Sequence, residues 1–291
     1  MYKVNASIDW LTLSRTDDNW ENIISRYASH GVRTVLWQAK ASLGLQEVAL
    51  TPARRQRFYD FGFEHEKSGL QVLVSNRTGT QGVKVQFSGA ACSEHNVNPQ
   101  FVAAASYEGW EVTRLDFAAD VYARDYNAQQ QHRVWKASGH KRFRSHAVYE
   151  SESGSTFYLG SRRSDIFVRI YDKGYGTFST PRTRFEIEIK GNVARHVGRQ
   201  MDSHLYPAAR LLRDAVAWTD CDLLLDYLDT VSPAEVPVRR RESTDDGRKM
   251  WLYSQVAPAL AKMWQLDASD FVDYIEYVDH LRKDLADEEV W

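Results

Sequence analysis

Residues 156–190 read TFYLGSRRSDIFVRIYDKGYGTFSTPRTRFEIEIK, and their alternation sets the reading of the whole chain. In a strand, side chains at i, i+2 and i+4 point to one face. Arg169, Tyr171 and Lys173 therefore share a face of a predicted strand over Ile166–Lys173. Arg184, Glu186, Glu188 and Lys190 share a face of the next, Thr183–Lys190, where Ile187 and Ile189 alternate with the glutamates. A phenol flanked by cations, beside a strand lined with carboxylates, suits metal-assisted attack on a phosphodiester.

A third strand, EVTRLDFAADVY over 111–122, repeats the pattern. Arg114, Asp116, Ala118 and Asp120 fall on one face, and Leu115, Phe117 and Ala119 on the other, where they can enter a core. Two carboxylates on one face are costly if buried alone. A hard cation such as Mg²⁺ or Mn²⁺, which prefers oxygen ligands, offsets that cost. The competing reading for Asp116 and Asp120, and for Glu186 and Glu188, is an exposed face of ion pairs. The pattern leaves open whether the two strands are neighbours.

A free phenol titrates near 10 and is a weak nucleophile at neutral pH. Arg169 and Lys173, two residues either side of Tyr171, are expected to favour phenolate. The alternative is a half-buried strand tyrosine bonded to the backbone. Tyr158 is the rival nucleophile. Next to it, Arg162 and Arg163 form a basic turn suited to backbone phosphates, or an exposed hairpin tip. The most basic window, HRVWKASGHKRFRSH over 132–146, interleaves Arg133, Lys136, Lys141, Arg142 and Arg144 with Trp135 and Phe143. That suits a loop binding a nucleic-acid strand, with cations on phosphates and aromatics on bases, or simply a solvated loop. His132, His140 and His146 lack metal-ligand spacing.

At 291 residues the chain is long enough for one large domain, or one domain with an appendage. Its net charge of −2 gives no chain-wide basic footprint, although a local basic cleft remains compatible. Cys92 and Cys221 have no CxxC spacing, which argues against zinc or a disulfide scaffold and fits a reducing cytoplasm. The start, MYKVNASIDWLTLSRTDD, is too short in its apolar run for a signal peptide, and no run reaches the length of a membrane span. Further expected strands cover 6–14, 62–76, 82–88 and 155–160. Expected helices cover 19–29, stopped by Gly31, then 98–109 and 126–137, with 33–40 a strand or helix end. Beyond residue 192 the spacing turns helical over 205–228, 249–264 and 269–287, with a Pro- and charge-rich connection at 231–249. The fold class expected is α+β, a mostly antiparallel central sheet with flanking helices, followed by a helical C-terminal region. The expected division is an α+β catalytic domain over 1–191 and a helical region over 192–291.

SIDWLTLS, VKVQFSGAAC, VTRLDFAAD, YLGSRRSDIFVRIYDKG and TRFEIEIKG occur in that order over residues 6–191. In this they resemble the rolling-circle replication initiators of the trans-acting plasmid type, with relatives in filamentous phages and among conjugative-transposon relaxases. The resemblance implies a protein of a phage or plasmid that nicks one strand of a double-stranded origin. A tyrosine attacks the phosphodiester, leaving a 5′-phosphotyrosyl adduct and a free 3′-OH primer, and the strand is later rejoined. By motif match Tyr171 takes the nucleophile role, with Tyr158 second. Asp116, Asp120, Glu186 and Glu188 are the candidates for holding Mg²⁺ or Mn²⁺, with Asp9 a weaker one, and Arg169 and Lys173 steady the phosphate. The implied partners are origin DNA, single-stranded or cruciform at the nick, a second copy of the chain, and a host helicase or polymerase. The helical C-terminal part is open to origin binding, dimerisation or recruitment. Two other readings stay open: a hydrolytic nuclease, because Glu188-Ile189-Lys190 has carboxylate–x–lysine spacing, and a DNA-binding regulator without catalysis.

Overall fold

The computed structural model describes residues 3–16, 18–53, 59–75, 82–122, 126–143, 146–151, 154–174, 182–201, 206–232 and 257–266, with 272, 276 and 279. The chain divides into two compact units, Met1–Val238 and Arg239–Trp291.

The first unit is built on a ten-stranded sheet in the order β2-β3-β4-β5-β1-β6-β10-β9-β8-β7. The strands are β1 (Lys3–Arg15), β2 (Thr51–Pro52), β3 (Phe61–His65), β4 (Leu70–Ser75), β5 (Gly82–Phe87), β6 (Glu111–Tyr122), β7 (His146–Ser151), β8 (Gly154–Leu159), β9 (Ile166–Lys173) and β10 (Arg182–Lys190). Each neighbouring pair is antiparallel. Read outward from the central β1–β6 pair, the order is the same on both sides: first strand, fifth, fourth, third, second. A helix follows the first strand of each half, α1 (Asp18–Ser42) and α4 (Ala128–Ser138). Another follows the fifth within two residues and begins at a glycine, α2 (Gly89–Glu94) and α5 (Gly191–Gln200). The sheet is therefore two topological copies joined edge to edge.

One face of the sheet carries the core. Leu115, Phe117, Phe157, Ile170, Phe185 and Ile187 are fully buried there. Phe117 meets Tyr206 at 5.4 Å between ring centroids, and Phe157 meets Trp135 at 5.6 Å. Over this face lie α4, α5, α6 (Pro207–Ala215) and α7 (Asp222–Val231), with α3 (Pro99–Tyr107) beside α5. The starts follow capping chemistry. The Asn98 side chain accepts from Phe101 N at 2.9 Å with Pro99 in the first turn, and Asn127 accepts from Gln130 N at 2.8 Å. Gly139, at φ +66°, ends α4 in the left-handed conformation that glycine adopts without strain. Gly198 lets α5 lie close on β6, because a methyl there would overlap Val112. In the second unit the described helix is α8 (Ala257–Leu266). No helix among the described residues is long and apolar enough to cross a membrane.

Several sequence expectations give way. Gly31 does not stop α1, which runs through to Ser42. Gly31, Val32, Val35 and Ala39 are all buried at helical spacing, so packing outweighs glycine's cost of about 1 kcal/mol. Within the expected strand 62–76, residues 61–75 form a hairpin of two strands, turning through the buried Ser68 and Gly69 at φ +69°. The expected helix 205–228 is two helices, broken at residues 216–221. Residues 146–151 form a strand, β7, where no element was expected. Helices α5–α7 pack with the sheet, within the first compact unit. The expected segments 231–249 and 269–287 lie largely outside the described residues.

Candidate active site

The other face of the sheet is polar, and registration collects the candidate residues on it. Across β6 and β10, Glu188 stands opposite Asp116, Glu186 opposite Ala118 and Arg184 opposite Asp120. Across β10 and β9, Arg184 faces Tyr171 and Glu186 faces Arg169. Across β9 and β8, Arg169 faces Tyr158. The two carboxylate strands left unplaced by the sequence are thus immediate neighbours, with the Tyr171 strand on their flank.

The charges form two linked groups. In the first, Arg169 Nη2 donates to Asp116 Oδ2 at 3.0 Å and to Glu186 Oε1, and lies 3.9 Å from Glu188 Oε2. Arg114 forks onto Asp116 at 2.9 and 2.7 Å and reaches Glu188 at 2.9 Å, while Lys190 Nζ lies 2.6 Å from Glu188 Oε1. In the second, Arg184 forks onto Asp120 at 2.6 and 2.8 Å and extends Nη1 to Asp9 at 2.6 Å. Arg182 also donates to Asp120, at 2.9 Å. Asp120 therefore stands apart from the other three candidate ligands, held by two arginines. Tyr171 donates its hydroxyl to Glu186 Oε2 at 3.1 Å in the first group and stands opposite Arg184 of the second.

Burial dominates the electrostatics. It pushes the Glu186 carboxyl up to about 7, against the Arg169 charge and with help from Asp116 and Asp9. Asp116 is raised for the same first reason, although Arg114 pulls it down. Burial also acts on Asp120 and Glu188, but their partners outweigh it and both end below the ordinary range: Arg184 and Arg182 for Asp120, Lys190 and Arg114 for Glu188. Tyr171 is raised by burial and then by Glu186, with Arg184 opposing. This corrects the expectation that flanking cations favour phenolate: burial and Glu186 keep the phenol protonated. Lys173 is lowered, by burial and then by Arg184.

The other candidates scatter. Tyr158 lies on the same face as Tyr171, stacked on Phe167 at 5.5 Å and 17°. Arg162 and Arg163 are exposed on the turn between β8 and β9. Arg133 and Lys136 are exposed on α4, which packs against the opposite face of the sheet, and Lys141 and Arg142 are exposed in the loop after it. Trp135, expected to meet bases, is 9% exposed and packs on Phe157 and His146 instead. Arg144 lies outside the described residues. Sequence reading missed a cluster of His65, Glu94 and His95, whose ligand atoms lie within 4.8 Å of one another. Only the adjacency of Glu94 and His95 hinted at it. It lies at the end of β3, six strand spacings from β9, on the order of 25–30 Å away.

The sequence pattern of the family described as replication initiation factor matches residues 110–278, more than half of the chain. A solved structure of the rolling circle replication initiator protein from Geobacillus stearothermophilus shares the fold. Its TM-score is 0.61 at 20% identity, covering 82% of this chain and 100% of that one. No curated protein matches by sequence.

Proposed function

The chain belongs to the replication initiation factor family, and we propose that it nicks one strand of origin DNA through Tyr171 and later rejoins it. The observation that carries this reading is the Tyr171–Glu186–Arg169 chain: a nucleophile bonded to a base that a third group orients. Tyr171 Oη attacks the phosphorus while its proton passes to Glu186 Oε2. The new bond is the 5′-phosphotyrosyl ester. The bond to the 3′-oxygen breaks, and that oxygen takes a proton from solvent to become the 3′-OH primer. Arg169 and Lys173 flank the phenol on its own strand and steady the phosphate charge. Rejoining is the reverse, with the 3′-oxygen attacking the adduct and the proton returning to Tyr171. A base near 7 suits both directions, because it gives and takes a proton with similar ease.

The residues present fit a divalent metal. Asp116, Glu186 and Glu188 converge on one guanidinium nitrogen, and the donors are all hard carboxylate oxygens. Burial raises Asp116, a cost a cation would relieve. Asp116 and Glu188 would hold Mg²⁺ or Mn²⁺, which leaves Glu186 as the base and Asp120 as the holder of Arg184. When bound, the ion supplies Lewis-acid charge at the phosphate oxygens. Arg162 and Arg163, with Arg133, Lys136, Lys141 and Arg142 further out, are proposed to bind flanking phosphates, and 192–291 to serve origin recognition, dimerisation or recruitment of a helicase or polymerase.

The test is incubation with Mn²⁺ and labelled single strands from the element that encodes the protein, run on a denaturing gel. The expected result is a labelled band at protein mass that Tyr171→Phe abolishes and Tyr158→Phe retains. The reverse dependence moves the nucleophile to Tyr158. Cleavage without an adduct supports hydrolysis at Glu188 and Lys190, and binding without cleavage supports a regulator.

A further inference from the structure

Beside the tyrosine strand, at the outer edge of the sheet, lies a cavity of about 400 Å³ lined by Ala147, Tyr149, Tyr158, Gly160, Arg162 and Phe167. Its walls are aromatic. Tyr158 stacks on Phe167 at 5.5 Å, and Tyr149 meets Tyr158 edge-on at 5.5 Å. Arg162 spreads over both stacked rings, with its guanidinium carbon 5.5 Å from the Tyr158 centroid and 5.8 Å from that of Phe167. Tyr149 is 64% exposed, a large flat side chain facing solvent on an edge strand. None of the described contacts of Tyr171 uses this cavity.

Strand register fixes where the cavity lies. Thr156 is opposite Tyr171 and Tyr158 is opposite Arg169, so Tyr158 is the diagonal neighbour of Tyr171, about 7–8 Å away at the backbone. That is comparable with one step along an extended nucleotide strand. A phosphate at Tyr171 therefore leaves the adjoining base beside Tyr158. Aromatic faces and a guanidinium plane are the groups that hold an unstacked base, and they do so with little regard to sequence. The backbone continuing from that base is anionic, and exposed Arg162 and Arg163 follow on the next turn.

We propose that this cavity is a nucleobase pocket: it takes the base next to the scissile phosphate, unstacked from a single strand, and holds that strand in line for Tyr171. The assignment rests on the Tyr171 reading, but base capture itself needs neither metal nor cleavage. It implies that the nick site is presented as separated strand, because a paired base cannot reach the cavity.

The experiment is photo-cross-linking of 5-iodouracil-substituted single-stranded DNA to the full chain without metal, with the cross-linked peptide read by mass spectrometry. The adduct assay with Mn²⁺ is run on the same preparations. Cross-links are expected on the peptide holding Tyr149 and Tyr158. Tyr149→Ala, which alters only an exposed edge side chain, should weaken single-strand binding about 5-fold or more, the worth of one base–aromatic stack. Tyr149→Trp should restore it. Cross-links confined to the 132–143 region, or a Tyr149→Ala affinity equal to the parent, overturn the pocket. An adduct formed without cross-links at the pocket removes this inference and leaves the nicking reading standing; cross-links at the pocket without an adduct do the opposite.

Discussion

Across β4 and β5, Gln86 donates an amide hydrogen to its opposed partner Gln71 at 3.1 Å; across β9 and β10, in the corresponding place of the strand order, Arg169 holds Glu186. The first half of the sheet sets Thr12, Ser14, Lys84 and Gln86 on its polar face, and the second sets carboxylates, guanidiniums and phenols there. The backbone plan is shared, so the plan does not create the reactive cluster. A few alternate positions on β6, β9 and β10 do. Neutral amides would satisfy such a face at lower cost, because each buried charge must be matched by a partner. The charged half keeps its acids and bases in register at that cost, which points to chemistry rather than stability. The family pattern begins at residue 110, immediately before β6.

The contrast can be broken most severely at Arg169. Arg169→Met leaves Asp116 and Glu186 without their shared partner, and a loss of roughly 3–5 kcal/mol is expected in denaturant unfolding at pH 8. The loss should shrink at pH 5, where the freed carboxyls take up protons. A loss under about 1 kcal/mol at both pH values would show that the cluster is as replaceable as the amides.

Glu186→Gln should sharpen the contrast through pH. The folded chain binds the Glu186 proton more tightly than the unfolded chain, with a folded value of about 7 against an ordinary 4.5. Its contribution to stability is full below about pH 4.5 and fades as pH rises through 7. The variant should therefore gain on the parent between pH 5 and pH 8, on the order of 2 kcal/mol. Adduct formation should fall about 10²-fold or more, and the parent's rise in rate through pH 7 should vanish. A retained pH rise would move the base elsewhere.

The smallest effect belongs to the neutral half. Gln86→Ala should cost about 1 kcal/mol or less, since one amide hydrogen bond is lost on a half-buried face. Adduct formation should stay within about twofold. A tenfold fall would make the first half part of the DNA track.

Much of this contrast was legible in the amino acids. The β6, β9 and β10 strands and their polar faces follow from alternation alone, as in RFEIEIK and VTRLDFAAD. What alternation cannot supply is which strands adjoin, because pairing is set by the whole order of the sheet. Thus Glu188 opposite Asp116 was out of reach, and so was the separation of Asp120, which depends on Arg182 and Arg184 lying nearer to it. Trp135 misled because a tryptophan among cations reads alike whether it faces solvent or core. Tyr171 lies on the strand face that alternation gives it, but its charge state was hidden: the sequence displays its cations, while the burial that raises the phenol appears only in three dimensions.

The central placement of β1 governs the order in which the molecule can be assembled. Ile8 needs Phe117, made about a hundred residues later, and at roughly 5–20 residues per second the growing chain waits on the order of 5–20 s for that partner. During that wait β5 is already available to β1, so the neutral half can mature on the ribosome as a template. β10 is the last strand made among the described residues, and its place is between β6 and β9, strands already present when it emerges. The charged cluster is thus completed by insertion of β10, and the nascent chain carries no assembled cluster until its scaffold is in place.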